Sequence, residues 1–295
     1  MNNERPLVSF CIVTYNQEKY IREAIEGALN QTYSPMEIII SDDCSTDGTY
    51  EEILKTVEGY TGPHKIIVNK NEPNLGIREH MNKVMFTLSK GEYILLAGGD
   101  DVSAPERAET YVKYFEKFPQ VMSISCLSEE VDENMQPINT SADWNGSYSI
   151  YNLDDYLNYR NFIIYSGDSR GLRRKVLEAF PPLECAPSED IYMFIRSLLV
   201  GSGCYLRMPL VKRRNHTNNF SKRPMKKQDA FERQVNIDID YALKSSYISE
   251  NKAIQLREKI HHVRDLFELY WGSPYSSFRS FFYRILSKLF HVKKY

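Results

Sequence analysis

The chain has 295 residues, 42% hydrophobic and 26% charged, with 37 Lys+Arg against 39 Asp+Glu for a net charge of -2. That is enough chain for one large or two modest globular domains with a real core, and the composition is not that of a disordered protein. The near-neutral balance argues against nucleic-acid binding through bulk phosphate attraction, and no apolar run reaches the ~18 residues of a membrane span.

The N-terminus carries Glu4 beside Arg5, and its apolar run enters Thr14-Tyr15-Asn16 without a small-residue cleavage site. It reads as a strand, not a signal peptide. Leu7 to Thr14 is the first expected strand, followed by a helix from Glu18 to Asn30. Met36 to Ser41 is the second strand, and its Ile38-Ile39-Ile40 centre fits burial on both faces. Lys65 to Asn69 and Glu92 to Ala97 follow as third and fourth strands. Strand–helix alternation at this spacing predicts βαβ units and a mostly parallel sheet, with chemistry at the carboxyl ends of the strands. A helix is expected from Pro105 and a strand from Val121 to Cys126. Residues 128–171 look like an irregular lobe. Arg173 to Phe180 and Glu189 to Val200 read as helices, and Tyr205 to Lys212 as extended. The basic, proline-containing stretch Ser221 to Lys227 marks a boundary, and the remainder is helical. The five cysteines are scattered, with no C-x-x-C pair. They fit a reducing, cytoplasmic setting and not a disulfide framework or a structural zinc site.

Acidic residues gather after the expected strands. In Asp42-Asp43-Cys44-Ser45-Thr46-Asp47-Gly48-Thr49, Thr46 and Asp47 read as a loop and cap before a helix, whereas Asp43 could equally accept from a base or ribose. Gly98-Gly99-Asp100-Asp101 places adjacent carboxylates at a strand end, where a divalent cation would relieve their repulsion. Hard carboxylate oxygens suit Mg2+ or Mn2+ bridged to substrate phosphates, and the alternative is a turn capping the next helix. Asp190 at a helix N-terminus would be stabilised as an ionised carboxylate able to accept a proton, while Glu189 reads as a cap.

Taken in order, these segments resemble the family-2 glycosyltransferases of the GT-A fold. The residues that carry the resemblance are Val13-Thr14-Tyr15-Asn16, Leu29-Asn30-Gln31-Thr32-Tyr33, Asp42-Asp43 with Ser45-Thr46-Asp47-Gly48-Thr49, and Asn74-Leu75-Gly76 with Asn82. Gly91-Glu92-Tyr93-Ile94, Asp100-Asp101, Glu189-Asp190 and Arg214 with His216 complete them. They span residues 6–221, about three-quarters of the chain. The resemblance implies an α/β GT-A catalytic domain over 1–222, with a nucleotide-sugar half (1–101) and an acceptor half (102–222), then a helical extension over 223–295. It implies inverting transfer from a nucleotide-diphosphate sugar with Mn2+ or Mg2+ as cofactor.

By the same resemblance Thr14, Tyr15 and Asp43 would hold uracil or another base, with Asn16, Glu18, Asn74, Gly76 and Asn82 in the same nucleotide-sugar site. Asp101 would be the direct metal ligand, with Asp100 sharing the metal or contacting ribose, because the family's D-x-D element reads Gly-Asp-Asp-Val here. His216 would be an additional metal contact, Asp190 the catalytic base, and Arg78 and Arg214 pyrophosphate contacts.

Phe278, Phe281, Phe282, Ile285, Leu286, Leu289 and Phe290 form an apolar helical stripe flanked by Arg279, Arg284, Lys288, Lys293 and Lys294. A basic amphipathic helix of this kind fits a membrane surface, the alternative being a helix that packs its stripe on the catalytic domain. With the resemblance, it implies a polyprenyl-diphosphate-linked saccharide acceptor at the inner face of the plasma membrane, in O-antigen, capsule or related polysaccharide synthesis. Tyr148, Tyr151, Tyr156, Tyr159 and Tyr165 could stack on acceptor sugars or pack the core. The alternatives are a sugar nucleotidyltransferase and a catalytically silent carbohydrate-binding relative.

Overall fold

A computed structural model describes residues 5–138, 146–158, 167–186, 188–217, 219 and 228–271, with backbone alone for 228–229 and 262–271. The first four strands, β1 (Val8–Thr14), β2 (Met36–Asp42), β3 (Lys65–Lys70) and β4 (Tyr93–Gly98), pair in parallel in the order β3-β2-β1-β4. They are joined by α1 (Ile21–Leu29), α2 (Thr49–Val57) and α3 (Gly76–Asn82), the last running into a π-helical turn, Lys83–Leu88. A two-residue strand β5 (Val102–Ser103) and α4 (Arg107–Lys117) follow, then β6 (Val121–Val131) and β7 (Tyr148–Tyr151). The chain continues through α5 (Leu153–Asn158), a 3-10 turn Gly167–Ser169, β8 (Gly171–Arg173), α6 (Lys175–Ala179), α7 (Asp190–Val200) and β9 (Ser202–Arg214). Two helices close the described chain, α8 (Gln228–Lys244) and α9 (Glu250–Trp271).

Strand periodicity builds two cores from one sheet. Successive side chains point to opposite faces, so Phe10, Ile12, Ile38, Ile40 and Leu95 pack against α1, α2 and α4. Cys11, Ile39, Ile94 and Leu96 pack instead against α3, α7, α8 and α9. Each such side chain is withdrawn from water at a gain of about 1.5–3 kcal/mol. The second half of the sheet is mixed: β8 runs antiparallel to β4 and β6, β6 runs parallel to β9, and β5 and β7 are antiparallel to β9. The predominantly parallel order expected of the whole sheet therefore holds for β1 to β4, where helices separate consecutive strands. Beyond them the short β5, β7 and β8 enter by other connections. The span read as irregular from residue 128 contains the end of β6 and all of β7 and α5, and the helix expected from Arg173 begins only at Lys175, after β8.

The helices after the basic boundary are built into the second core. Val235, Ile239, Ala242, Ala253, Leu256 and Ile260 are buried together with Tyr192, Phe194 and Leu198 of α7. Among the described residues no helix is long and apolar enough to cross a membrane. The amphipathic stripe from Phe278 to Phe290 lies outside the described residues. So do Tyr159 and Tyr165. Tyr148 packs edge-on to Tyr114, and Tyr156 is buried beside Phe194, so these two rings serve packing.

Candidate active site

The loops that follow β1, β2 and β3 lie side by side because their strands are neighbours in one parallel sheet. Their polar groups bind mostly each other. Asn16 adopts a left-handed backbone (φ 54°), donates its N–H to Ser45 Oγ at 2.9 Å and accepts the Thr46 N–H at 2.8 Å through Oδ1. Glu18 accepts the Gly48 N–H at 3.2 Å, and Asp47 accepts the Thr49 N–H at 3.0 Å. Asn16 and Glu18, expected at the nucleotide sugar, thus zip two loops together, and Asp47 acts at the helix start as expected. Thr14 donates its hydroxyl to Gln17 Oε1 at 2.8 Å. Gly99 packs against this pair so closely that a Cβ there would meet Thr14 Oγ1 at 2.6 Å. The Tyr15 ring remains 41% exposed at the mouth of these loops.

Asp43 is the centre of the hydrogen bonds between the loops after β2 and β3. It is buried, and its carboxylate accepts from Asn71 Nδ2 at 2.8 Å, Leu75 N at 2.9 Å and Gly76 N at 2.8 Å. Asn74 donates to the Asp43 carbonyl at 2.6 Å. Gly76 has φ 75°, a conformation glycine adopts at no steric cost, and this lets the chain turn its N–H onto Asp43 before α3 begins. Arg78, a candidate pyrophosphate contact, is paired at the surface with Glu79 at 2.8 Å. Asn82 faces away from these loops: it donates to Leu183 O and accepts from Leu183 N, both at 2.9 Å.

At the end of β4 the adjacent carboxylates have different surroundings. Asp101 is buried, and its Oδ1 accepts the Arg214 backbone N–H at 2.9 Å. Burial, then the charges of Asp100 and Asp168, push its carboxyl well above the usual carboxylate range. Asp100 Oδ2 lies 2.9 Å from His216 Nε2, and Asn219 Nδ2 donates to the same oxygen at 3.3 Å. The His216 ring rests against Tyr20 with centroids 4.7 Å apart. The sequence favoured Asp101 as the direct metal ligand, but the side chain paired with His216 is Asp100. Arg214 is buried, and each of its three guanidinium nitrogens has a protein partner: it donates to Asp100 O at 3.0 Å and Glu133 O at 2.6 Å, pairs with Glu23, and covers the Tyr20 ring at 4.8 Å. It therefore ties the end of β4 and the turn after β6 to α1.

The remaining side of the site is formed by the turn before β8 and the start of α7. Because β8 is antiparallel to β4, the turn Gly167–Ser169 lies at the carboxyl end of β4. Asp168 accepts the Ser128 hydroxyl at 2.6 Å through Oδ2, while its Oδ1 is buried without a hydrogen-bond partner. No motif pointed to Asp168, since a lone Asp in a polar stretch has no signal of its own. Its charge acts on Asp101, and that of Arg170, two residues on, acts on Glu189. The segment 168–170 thereby bears on Asp101 through one residue and on Glu189 through another. Asp190 opens α7, and its Oδ1 is buried without a partner. Glu189 makes no capping hydrogen bond, contrary to its reading as a cap. It is buried, and burial followed by the charge of Asp190 and a hydrogen bond to it raises its carboxyl well above the usual range. Glu189 is accordingly held toward its protonated form.

The model of the family described as Glycosyl transferase family 2 matches residues 9–180, more than half the chain. The chain belongs to glycosyltransferase family 2. The matched span ends before Asp190, Arg214 and His216, so for those residues the geometry above is the guide. An uncharacterized glycosyltransferase of Methanocaldococcus jannaschii is 36% identical over 132 residues, covering 44% of this chain and 44% of its own. The chain thus matches less than two thirds of that relative. Among solved structures, S. aureus TarS in complex with UDP-GlcNAc aligns with a TM-score of 0.61 at 20% identity, over 79% of this chain and 66% of that one. The mannosyltransferase PcManGT from Pyrobaculum calidifontis, in complex with GDP-Man and Mn2+, aligns with a TM-score of 0.55 at 16% identity, over 89% of this chain and 72% of that one. The fold is accordingly that of GT-A glycosyltransferases.

Proposed function

We propose that this glycosyltransferase moves a sugar from a UDP-sugar to an acceptor hydroxyl with inversion at the anomeric carbon. The observation that carries the reading is the pairing of Asp100 with His216 at the end of β4, together with Asp190 at the start of α7, whose Oδ1 is buried without a hydrogen-bond partner. Thr14, Tyr15, Asp43, Asn74 and Gly76 are the residues around which the base and ribose would sit. The UDP-GlcNAc bound by TarS supports a uridine donor.

A carboxylate oxygen and an imidazole nitrogen suit Mn2+ or Mg2+ when substrate phosphates supply the remaining ligands. Among the described residues no group of three His, Cys, Asp or Glu could hold a metal by itself. Asp100 and His216 would therefore hold the cation jointly with the donor diphosphate, where its positive charge supports departure of the nucleoside diphosphate. The Mn2+ in the PcManGT complex supports this choice of cofactor. Asp190, at the N-terminus of α7, takes the proton of the acceptor hydroxyl. Such general-base assistance contributes ~10²–10⁴-fold.

The acceptor in this reading is a lipid-linked saccharide of surface polysaccharide synthesis, met at the inner membrane face. Support for that location comes from the Phe278–Phe290 stripe and its basic flanks in the sequence. The test is a panel of nucleotide sugars with Mn2+ and a polyprenyl-diphosphate-linked saccharide. Release of UDP coupled to sugar transfer, abolished by EDTA, is expected. Pyrophosphate release would identify a nucleotidyltransferase, and undiminished transfer in EDTA would remove the cation from the mechanism.

A further inference from the structure

The segment between α6 and α7 carries Asp190 into place, and three elements grip it. From α3, on the nucleotide side, the Asn82 amide embraces Leu183 with a donor and an acceptor bond, both 2.9 Å, and is itself buried. From α7, Arg196 donates to Pro181 O at 2.7 Å and pairs with Asp238 of α8 at 2.7 Å, with both side chains fully buried. From α8, Gln234 Oε1 accepts the N–H groups of Glu184 at 2.8 Å and Cys185 at 3.0 Å, while its Nε2 donates to Asp238 at 3.1 Å. Gln234 and Asp238 are also fully buried.

We propose that Asn82 and Gln234 are positioning residues that set residues 181–185, and through them Asp190, relative to the nucleotide loops. The proposal rests on the reading of Asp190 as general base. Its physical basis is the continuity of the contacts. Asp43 accepts the Gly76 N–H at the first residue of α3, and Asn82 is the last residue of the same helix. One short rigid helix therefore connects the nucleotide-side carboxylate to Leu183, and five residues after Leu183 the chain reaches Ser188 and the Glu189-Asp190 pair. Side-chain amides suit this task because each donates and accepts at once, so the gripped backbone is held in one register without a net charge. Gln234 extends the frame to α8, which lies beyond the span matched by the family model. In this proposal α8 is a working part of the transferase unit.

The outcome read is a split between turnover and donor affinity. With the full-length protein and the UDP-sugar that the wild type uses, Asn82→Ala and Gln234→Met should each lower kcat about ten- to a hundredfold. That is the range expected when a catalytic group is displaced by about an ångström. Affinity for UDP, measured by calorimetry, and the donor KM should stay at wild-type values. Asn82→Asp, which keeps the acceptor for the Leu183 N–H, should recover part of the loss and serves as the readout should Asn82→Ala fail to fold. Wild-type kcat in the folded variants overturns the proposal. A fall of UDP affinity in step with kcat for the Asn82 variants also overturns it, making Asn82 a nucleotide contact. A wild type that uses no nucleotide sugar would instead defeat the functional reading itself.

Discussion

The two sides of the site differ in how their buried carboxylates are answered. On the nucleotide side, Asp43 receives three N–H donors and Asp42 receives the N–H of Ser45 at 3.0 Å, so the loops after β1, β2 and β3 form one closed hydrogen-bonded set. On the other side, Asp168 and Asp190 each keep a buried oxygen with no partner, and Glu189 and Asp101 are driven toward their neutral forms. A buried unpaired carboxylate oxygen is costly. The nucleotide side is preassembled. The transfer side keeps polar capacity in reserve.

The largest effect should come from Asp190→Asn. It should lower transfer about 10²–10⁴-fold while leaving UDP affinity intact in a calorimetric titration, and turnover near wild type would erase the distinction between the two sides. Next, Asp100→Ala and His216→Ala should each weaken the Mn2+ concentration dependence of transfer by about 10–100-fold. Asp101→Asn, in which the amide oxygen can still accept the Arg214 N–H, should leave that dependence nearly unchanged. A reversed order would make Asp101 the ligand.

On the preassembled side, Asp43→Ala should cost about 1–3 kcal/mol in denaturant unfolding, because it removes the acceptor of the buried Asn71 amide and of the Leu75 and Gly76 N–H groups. UDP binding should weaken with it.

The smallest effect concerns Glu189. Its raised carboxyl pKa means that the folded state favours the neutral form. The stability this preserves is full below the unfolded value of ~4.3 and is lost as pH rises through the raised folded value. Glu189→Gln should therefore flatten the decline of the thermal midpoint on the alkaline side of about pH 5. An unchanged pH slope would place the proton elsewhere.

Much of the nucleotide half was legible in the sequence because its signals are local. Ile38-Ile39-Ile40 announced a strand buried on both faces, and the acidic loops fell at strand ends where a parallel sheet gathers them. Asn16, Glu18, Asn82 and Arg214 were less legible. Each is a polar residue in or near a motif, and nothing local tells a side chain bonded to another loop from one bonded to a ligand. Asn82 illustrates this most plainly, since its partner Leu183 is 101 residues away. The helices after the basic boundary posed the same difficulty: the apolar spacing of Leu256 and Ile260 predicts a buried face but not the α7 surface that buries it.

The sequence by itself determined the alternation of strands and helices, the family, and the acidic motifs at the strand ends. These depend on side-chain period, turn chemistry and short spacings along the chain. Only the tertiary structure decided that Asp100, not its neighbour, meets His216, that Glu189 stays neutral beside Asp190, and that Asn82 and Gln234 hold the segment leading to that carboxylate. Burial and long-range pairing set these outcomes. They arise from segments a hundred residues apart packing around one sheet, where a group's charge and direction depend on neighbours that the local sequence does not contain.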